Sequence, residues 1–138
     1  MAKVVLDTNV LVSALWKHPS NASRLVDMIV SGQIIPCYNA EILIEYKGVL
    51  SRPKFKFPAS DISNLLNLIK IEGIAILPQQ SAIPFADESD RIFYDAAKTC
   101  DAYLITGNRK HFPDEPFIMS PSEFLENKLL AFMLTQTL

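Results

Sequence analysis

Residues that ligate zinc are scarce in this 138-residue chain, which has two histidines and two cysteines. Cys37 and Cys100 lie far apart and form no CxxC pair. A zinc knuckle or a thioredoxin-type site therefore finds no support, and two buried, reduced thiols are expected. A basic excess is also missing. Thirteen Lys and Arg stand against fifteen Asp and Glu, a net charge of −2, so no global positive field advertises a polyanionic partner. That argues little against a local basic patch. No apolar run approaches the length of a membrane span, and the first residues lack the three-part pattern of a secretory signal; a cytoplasmic protein is the expectation. No repeat, low-complexity tract or linker interrupts the chain, so residues 1–138 read as one domain. What is present is 49% hydrophobic and 20% charged residues, enough for a sizeable core.

The hydrophobic pattern alternates between two kinds of element. Residues 3–6 form a short apolar strand without alternation, and Thr8 or Asn9 can cap a helix through Val10, Leu11, Ala14 and Leu15. Ser20 or Asn21 offers a second cap, followed by Leu25, Met28 and Ile29 at helical spacing, with Gly32 as the stop. Residues 34–38 are the next strand, bent or confined by Pro36. Asn39 caps a helix carrying Ile42, Leu43, Tyr46 and Leu50. Residues 51–58 are a proline-bounded connection, and Ser60 starts a helix with Ile62, Leu65, Leu66 and Ile69 that closes at Gly73. Residues 74–77 are strand-like and 78–85 a loop. Residues 87–100 read as one helix, 102–106 and 117–119 as strands. Ser120-Pro121-Ser122-Glu123 is a capping box ahead of a last helix. Strands alternating with helices predict a parallel sheet with right-handed crossovers.

Ligands of such sheets sit at the carboxyl ends of the strands, and polar residues gather there. Asp7 directly follows the first strand, where a carboxylate must be hydrated, paired or metal-bound; an Asx turn or a helix cap is its structural alternative. Thr106-Gly107-Asn108 ends a later strand, and the Asn108 amide can meet a cation or serve as an ordinary turn residue. Glu41 and Glu45 share one side of their helix. Glu45 lies in the more apolar part, whereas Glu41 is a first-turn acid that the helix dipole alone explains. Asp87 and Asp90 are either a helix-start pair, with Asp87 as cap, or acids at the mouth of the sheet. Asp95, one turn on, is expected on the solvated surface or in an ion pair. Several carboxylates in one cleft would repel, and Mg²⁺ or Mn²⁺ would relieve them better than zinc. Such ions support in-line phosphodiester hydrolysis without a covalent nucleophile.

The stretches that carry these residues are Val4-Val5-Leu6-Asp7-Thr8-Asn9-Val10-Leu11-Val12-Ser13-Ala14, Glu41-Ile42-Leu43-Ile44-Glu45-Tyr46 and Val49-Leu50-Ser51-Arg52-Pro53-Lys54-Phe55. Asp87-Glu88-Ser89-Asp90-Arg91-Ile92-Phe93-Tyr94, Ala102-Tyr103-Leu104-Ile105-Thr106-Gly107-Asn108 and Ser120-Pro121-Ser122-Glu123-Phe124-Leu125 follow. Together and in this order they resemble a PIN-domain ribonuclease, most closely the toxins of toxin–antitoxin pairs similar to VapC. The resemblance covers nearly the whole chain. It implies a PIN-like, Rossmann-type α/β fold, a three-layer α/β/α sandwich around a central parallel sheet. It also implies a Mg²⁺- or Mn²⁺-dependent endoribonuclease acting on RNA, usually a homodimer held by an antitoxin protein. Carried over position by position, the catalytic metal acids are Asp7, Glu45 and Asp90, with Asp87 as a further acid. The family commonly has Asp where this chain has Asn108; an amide there removes one negative charge and weakens any second metal site.

Substrate contacts are expected from Thr8, Asn9, Ser13 and Thr106 within the same stretches. In Arg52-Pro53-Lys54-Phe55-Lys56-Phe57, charge interleaved with aromatics suits phosphates and bases, or is a solvated connection whose phenylalanines fill core. Arg109, Lys110 and His111 directly follow Asn108 and can flank a phosphate. Trp16 reads as core or interface, with a platform for bases as the alternative. The apolar stretch 129–134 packs on the domain, on a second copy or on an antitoxin. Two other functions compete. A phosphatase with a nucleophilic Asp7 resembles the haloacid-dehalogenase group, which wants a second acid two residues on, where this chain has Asn9. A non-catalytic or weakly active PIN fold that binds RNA or protein takes its support from Asn108.

Overall fold

The computed structural model of the protein describes residues 2–136, all but the side chains of Phe132, Thr135 and Gln136. The elements in chain order are β1 (Ala2–Leu6), α1 (Thr8–Trp16), α2 (Asn21–Val30), β2 (Ile34–Tyr38), α3 (Ala40–Leu50), α4 (Ala59–Glu72) and β3 (Ile74–Ala75). A 3₁₀ turn (Glu88–Asp90), α5 (Arg91–Cys100), β4 (Tyr103–Ile105), a second 3₁₀ turn (Arg109–His111), β5 (Ile118–Met119) and α6 (Pro121–Gln136) complete them. The five strands form one sheet in the order β3-β2-β1-β4-β5, and every pairing is parallel. Helices flank it, giving the three-layer α/β/α sandwich.

The apolar run of β1 puts Val4, Val5 and Leu6 in the core on both faces of the sheet, as a central parallel strand requires. The local signals mostly hold. Ser20 caps α2 and exchanges bonds with Ser23 in a capping box. Gly32, at φ +78°, ends that helix. Asn39 Oδ1 accepts the Ile42 N–H at 2.8 Å. Ser120 and Glu123 exchange the two bonds of a capping box at 3.0 and 3.1 Å. Pro36 is tolerated inside the sheet because its carbonyl faces Gly73. In a parallel strand the ring nitrogen faces the same way, toward ground that β3 reaches only at Cys37↔Ile74. No ladder bond is lost there.

Four local expectations need correction. The strand expected over 74–77 pairs only at Ile74 and Ala75. Its partner β2 ends at Tyr38, whose carbonyl still takes the Ile76 N–H at 2.9 Å. Beyond that point Asn39 turns the chain into α3, and Leu77 is left 93% exposed. The helix expected over 87–100 is broken into a 3₁₀ turn and α5. The first helix takes neither Thr8 nor Asn9 as its cap, since Asp7 occupies that position and makes no side-chain capping bond. Asp95 is buried rather than solvated: its carboxylate accepts the Ser81 N–H at 3.2 Å and helps fasten loop 78–85. Arg91 does the same from the other side, donating to the carbonyls of Ser81 and Ile83 at 2.7 and 2.5 Å. Cys37 and Cys100 are free thiols, the first buried as expected and the second half-buried, and they are neighbours in space.

On α6, Leu129, Leu130 and Met133 are exposed; the side chain of Phe132, in the apolar stretch singled out above, lies outside the described ones. No helix among the described residues is long and apolar enough to cross a membrane.

Candidate active site

The strand order reverses its direction of growth between β1 and β4. From β1 the chain winds outward to β2 and β3, then returns through α5 to β4 on the other side. α5 packs against β1, β2 and β4. A crevice opens at such a switch point, at the carboxyl ends of the two strands. Asp7 stands at the end of β1 and Thr106 at the end of β4, so the topology brings residues 99 positions apart into contact.

Asp7 is held from three directions. Its N–H continues the sheet by donating to Ile105 O at 2.9 Å. Thr106 Oγ1 donates to its Oδ2 at 2.8 Å, and Asn9 Nδ2 donates to the same oxygen at 3.1 Å. The carboxylate is only 7% exposed. Burial pushes its pKa up, and bonds from Thr106, Thr8 and Asn9 and the charge of His111 oppose that rise. The holders are themselves held. Thr106 Oγ1 accepts the Asn108 N–H at 2.9 Å, and Asn9 Oδ1 accepts the Gly107 N–H at 2.9 Å. Behind the junction, the Tyr46 hydroxyl donates to Leu6 O at 2.6 Å, and its ring stacks on Phe93 with centroids 6.1 Å apart.

Asp90, at the start of α5, faces this junction. Its pKa is pushed up to about 6, first by burial and then by repulsion from Asp7, Asp87 and Glu45, with His111 opposing. Asp7, Glu45 and Asp87, from three parts of the chain, thus all act on Asp90. They do not act alike. Asp87 is engaged as the cap of the 3₁₀ turn: its Oδ1 accepts the Ser89 N–H and hydroxyl at 3.0 and 2.7 Å, bonds that hold its pKa down. Glu45 is half-buried on α3. Among the described residues, no three His, Cys, Asp or Glu side chains gather tightly enough to hold a metal ion by themselves. The donors present are carboxylate, hydroxyl and amide oxygens, the set that suits a hard divalent cation. Next to Asp7 in the chain, Thr8 Oγ1 is buried and has no hydrogen-bond partner.

With the acids located, the chain can be set beside known proteins. A family model described as the PIN domain matches residues 3–110. The chain belongs to the PIN-domain family. PIN domains are generally nucleases and typically use divalent metal ions. A curated relative, the uncharacterised protein MJ1680 of Methanocaldococcus jannaschii, is 27% identical over 110 residues, which is 78% of this chain and 71% of that one. In shape this PIN domain is similar to a chain from the crystal structure of VapBC2 of Rickettsia felis bound to a DNA fragment from their promoter. The TM-score is 0.53 at 20% identity, covering 86% of this chain and 96% of that one. The likeness shows the shared fold.

The remaining expected residues of the PIN domain lie further out. Ser13 is exposed on α1. Arg109 is engaged with Glu123 at 3.2 Å and Asp114 at 3.4 Å, so it is not a free cation at the crevice. Arg52 and Lys54 are exposed in the connection after α3. Two residues were not expected in these roles. His111 Nδ1 stands 3.7 Å from Asp90 Oδ2, and the Asn108 side-chain nitrogen lies 3.1 Å from the same ring. Tyr46 reads in sequence as core only, yet its hydroxyl fixes the strand end that carries Asp7. The i, i+3 spacing of Asn108 and His111 was the available signal for the first; nothing local marks the second.

Proposed function

We propose that this PIN domain is an endoribonuclease that hydrolyses RNA phosphodiester bonds with Mg²⁺ or Mn²⁺, as the toxin of a toxin–antitoxin pair. The observation that carries this reading is the charge conflict at the switch point: a buried, triply held Asp7 beside an Asp90 whose ionised form is disfavoured by its neighbours. Carboxylates in such a crevice are unstable in their charged state until a cation joins them. Asp7, Glu45 and Asp90 would hold it, with Asp87 and Asn108 at the margin. When bound, the ion activates water and neutralises charge developing on the phosphate.

The chain's own residues set the geometry. Thr106 and Asn9 fix the Asp7 rotamer, and Tyr46 steadies the peptide before it. In the net reaction the oxygen of water bonds to phosphorus, one P–O ester bond breaks, and the departing oxygen takes a proton. The fold likeness to a VapBC complex supports an antitoxin protein as partner, and the family resemblance supports a homodimer.

A second reading, a PIN fold that binds RNA or protein without turnover, is favoured by the loose spacing of the acids and by the amide at Asn108. One assay separates them. Purified protein incubated with single-stranded RNA and Mn²⁺ or Mg²⁺ should cut it, chelation should stop the cutting, and Asp7→Asn should bring it below detection. Equal cutting by wild type and variant overturns the proposal. Retained RNA binding with no cutting by either establishes the binding module.

A further inference from the structure

Trp16 is the chain's single tryptophan, and it lies 64% exposed at the far end of α1. It is not isolated there. Its ring centre is 5.4 Å from that of Phe55 and 6.2 Å from that of Phe57, both edge-on. Phe55 and Phe57 stack on each other at 5.4 Å with 10° between their planes. The connection after α3 is thus not a purely solvated basic loop: Phe55 and Phe57 are half-buried, and Phe57 also packs against the core. Its two phenylalanines prop up an exposed indole.

Around this trio the charge is of one sign. Lys17, Arg52, Lys54 and Lys56 are all exposed, and residues 16–18 and 51–58 contain no acid. Among the described residues none of the four makes an ion pair. Lys54 Nζ lies 5.1 Å over the Phe55 ring, a placement the ring quadrupole favours. A cationic collar on an exposed indole and two half-buried phenylalanine rings, within a chain of net charge −2, is a local specialisation. It is also joined to the elements that carry the acids. α1 runs from the Asp7 junction to Trp16 in nine residues, about 13 Å at the helical rise. α3 carries Glu45, packs against α1 and ends just before Arg52.

Cations without ion-pair partners beside an exposed indole match a strand that is anionic along its backbone and offers a π-face at every base. A protein-binding core would be depleted in charge, lysine above all. Paired duplex bases keep their faces stacked and cannot use such a platform. We propose that Trp16, Phe55 and Phe57, with Lys17, Arg52, Lys54 and Lys56, form a stacking subsite for unpaired bases that holds single-stranded RNA beside the acids. The choice of RNA rests on the ribonuclease reading; the subsite itself does no chemistry.

The test uses the full chain in chelator, so that cleavage does not enter. Oligouridylate is titrated while Trp16 emission is followed, and a 5′-labelled oligouridylate gives the affinity by anisotropy. Saturable quenching is expected. Trp16→Ala should weaken binding roughly tenfold, the loss of one base–aromatic stack, and Trp16→Phe should restore most of it. Lys54→Gln should lower the slope of log affinity against log salt by about 0.7. Circular dichroism of each variant checks that it is folded. Flat emission, with Trp16→Ala binding as well as wild type, overturns the subsite even if the protein cuts RNA. Quenching by oligouridylate in a protein that never cuts leaves the subsite standing and removes the ribonuclease reading. Tighter binding of a duplex overturns the subsite. So does Trp16 emission that shifts with protein concentration alone, which would assign the patch to a second copy of the chain.

Discussion

Asp90 is where the charge conflict becomes measurable. Its pKa of about 6 in the folded chain lies above the ordinary 3.8. The folded protein therefore holds this proton more tightly than the unfolded one, and the stability so gained is present below pH 4 and lost as pH rises through 6. Asp7 is shifted in the same direction. Asp87, Glu88 and Glu123 are shifted downward. They act the opposite way, but are already ionised above about pH 5, so the window between about pH 5 and 7.5 removes them from the comparison. In chelator, the wild type should melt a few degrees lower at the upper pH. Asp90→Asn should remove most of that difference and raise Tm at the upper pH. Water at the crevice mouth screens the effect, so a change of about 1 kcal/mol is expected. Thermal melts of both proteins at the two pH values decide it, and an unchanged pH dependence in the variant would show that Asp90 does not carry the conflict. The position of Asp7 was legible in sequence, because a carboxylate directly after a buried strand must sit at the strand's end, and there it is buried. The role of Asp87 was not legible: cap and site acid have the same spacing, and only the bonds to Ser89 show that it caps the turn while its charge also reaches Asp90.

At the scale of elements, two glycines make opposite predictions. Gly73 ends α4 where it crosses β2, and a Cβ there would collide with the carbonyl oxygens of Ile69 and Pro36. Both are backbone atoms in packed elements and cannot turn aside. Gly73→Ala should destabilise the protein by about 1–3 kcal/mol. Gly48 lies within α3 with open space at its Cβ position. Gly48→Ala should stabilise the protein by about 0.5–1 kcal/mol, because alanine loses less backbone freedom in a helix. Urea unfolding of the two variants checks the pair, and equal effects would mean that α4 does not press on β2 as described. Most elements were legible because caps and apolar spacing agreed, as at Ser20, Asn39 and Ser120. The misreadings have two causes. Strand β3 stops where its partner ends, and Asp95 is buried by a loop that Arg91 pulls over it; both depend on neighbours that local spacing cannot report. Helix α5 starts late because Asp87 caps a tighter turn first through Ser89, two residues on, a spacing that a helix start shares.

At the scale of the molecule, the winding order decides which polar residues meet. Alternating strands and helices announced a parallel sheet, but not which two strands would adjoin at the reversal. That β1 and β4 do so is what joins Thr106 to Asp7. The same junction makes Asn108 informative. It stands beyond Thr106, its backbone bonded to that hydroxyl and its side chain against His111, on the rim of a crevice whose acids already repel one another. Adding a carboxylate there should worsen the conflict in the metal-free protein and improve the crevice for a cation. Asn108→Asp is therefore expected to lower Tm in chelator, and to gain more stability than the wild type when Mg²⁺ or Mn²⁺ is added. Binding to the folded state alone stabilises it in proportion to ligand affinity, so thermal shifts across a metal titration read that affinity directly. The variant's curve should saturate at lower metal concentration, by roughly tenfold, the scale at which groups around a metal ion alter its affinity. Asp7→Asn should flatten both curves. If Asn108→Asp leaves the titration unmoved while Asp7→Asn flattens it, residue 108 stands outside the cation's reach, and the crevice works through Asp7, Glu45 and Asp90 alone.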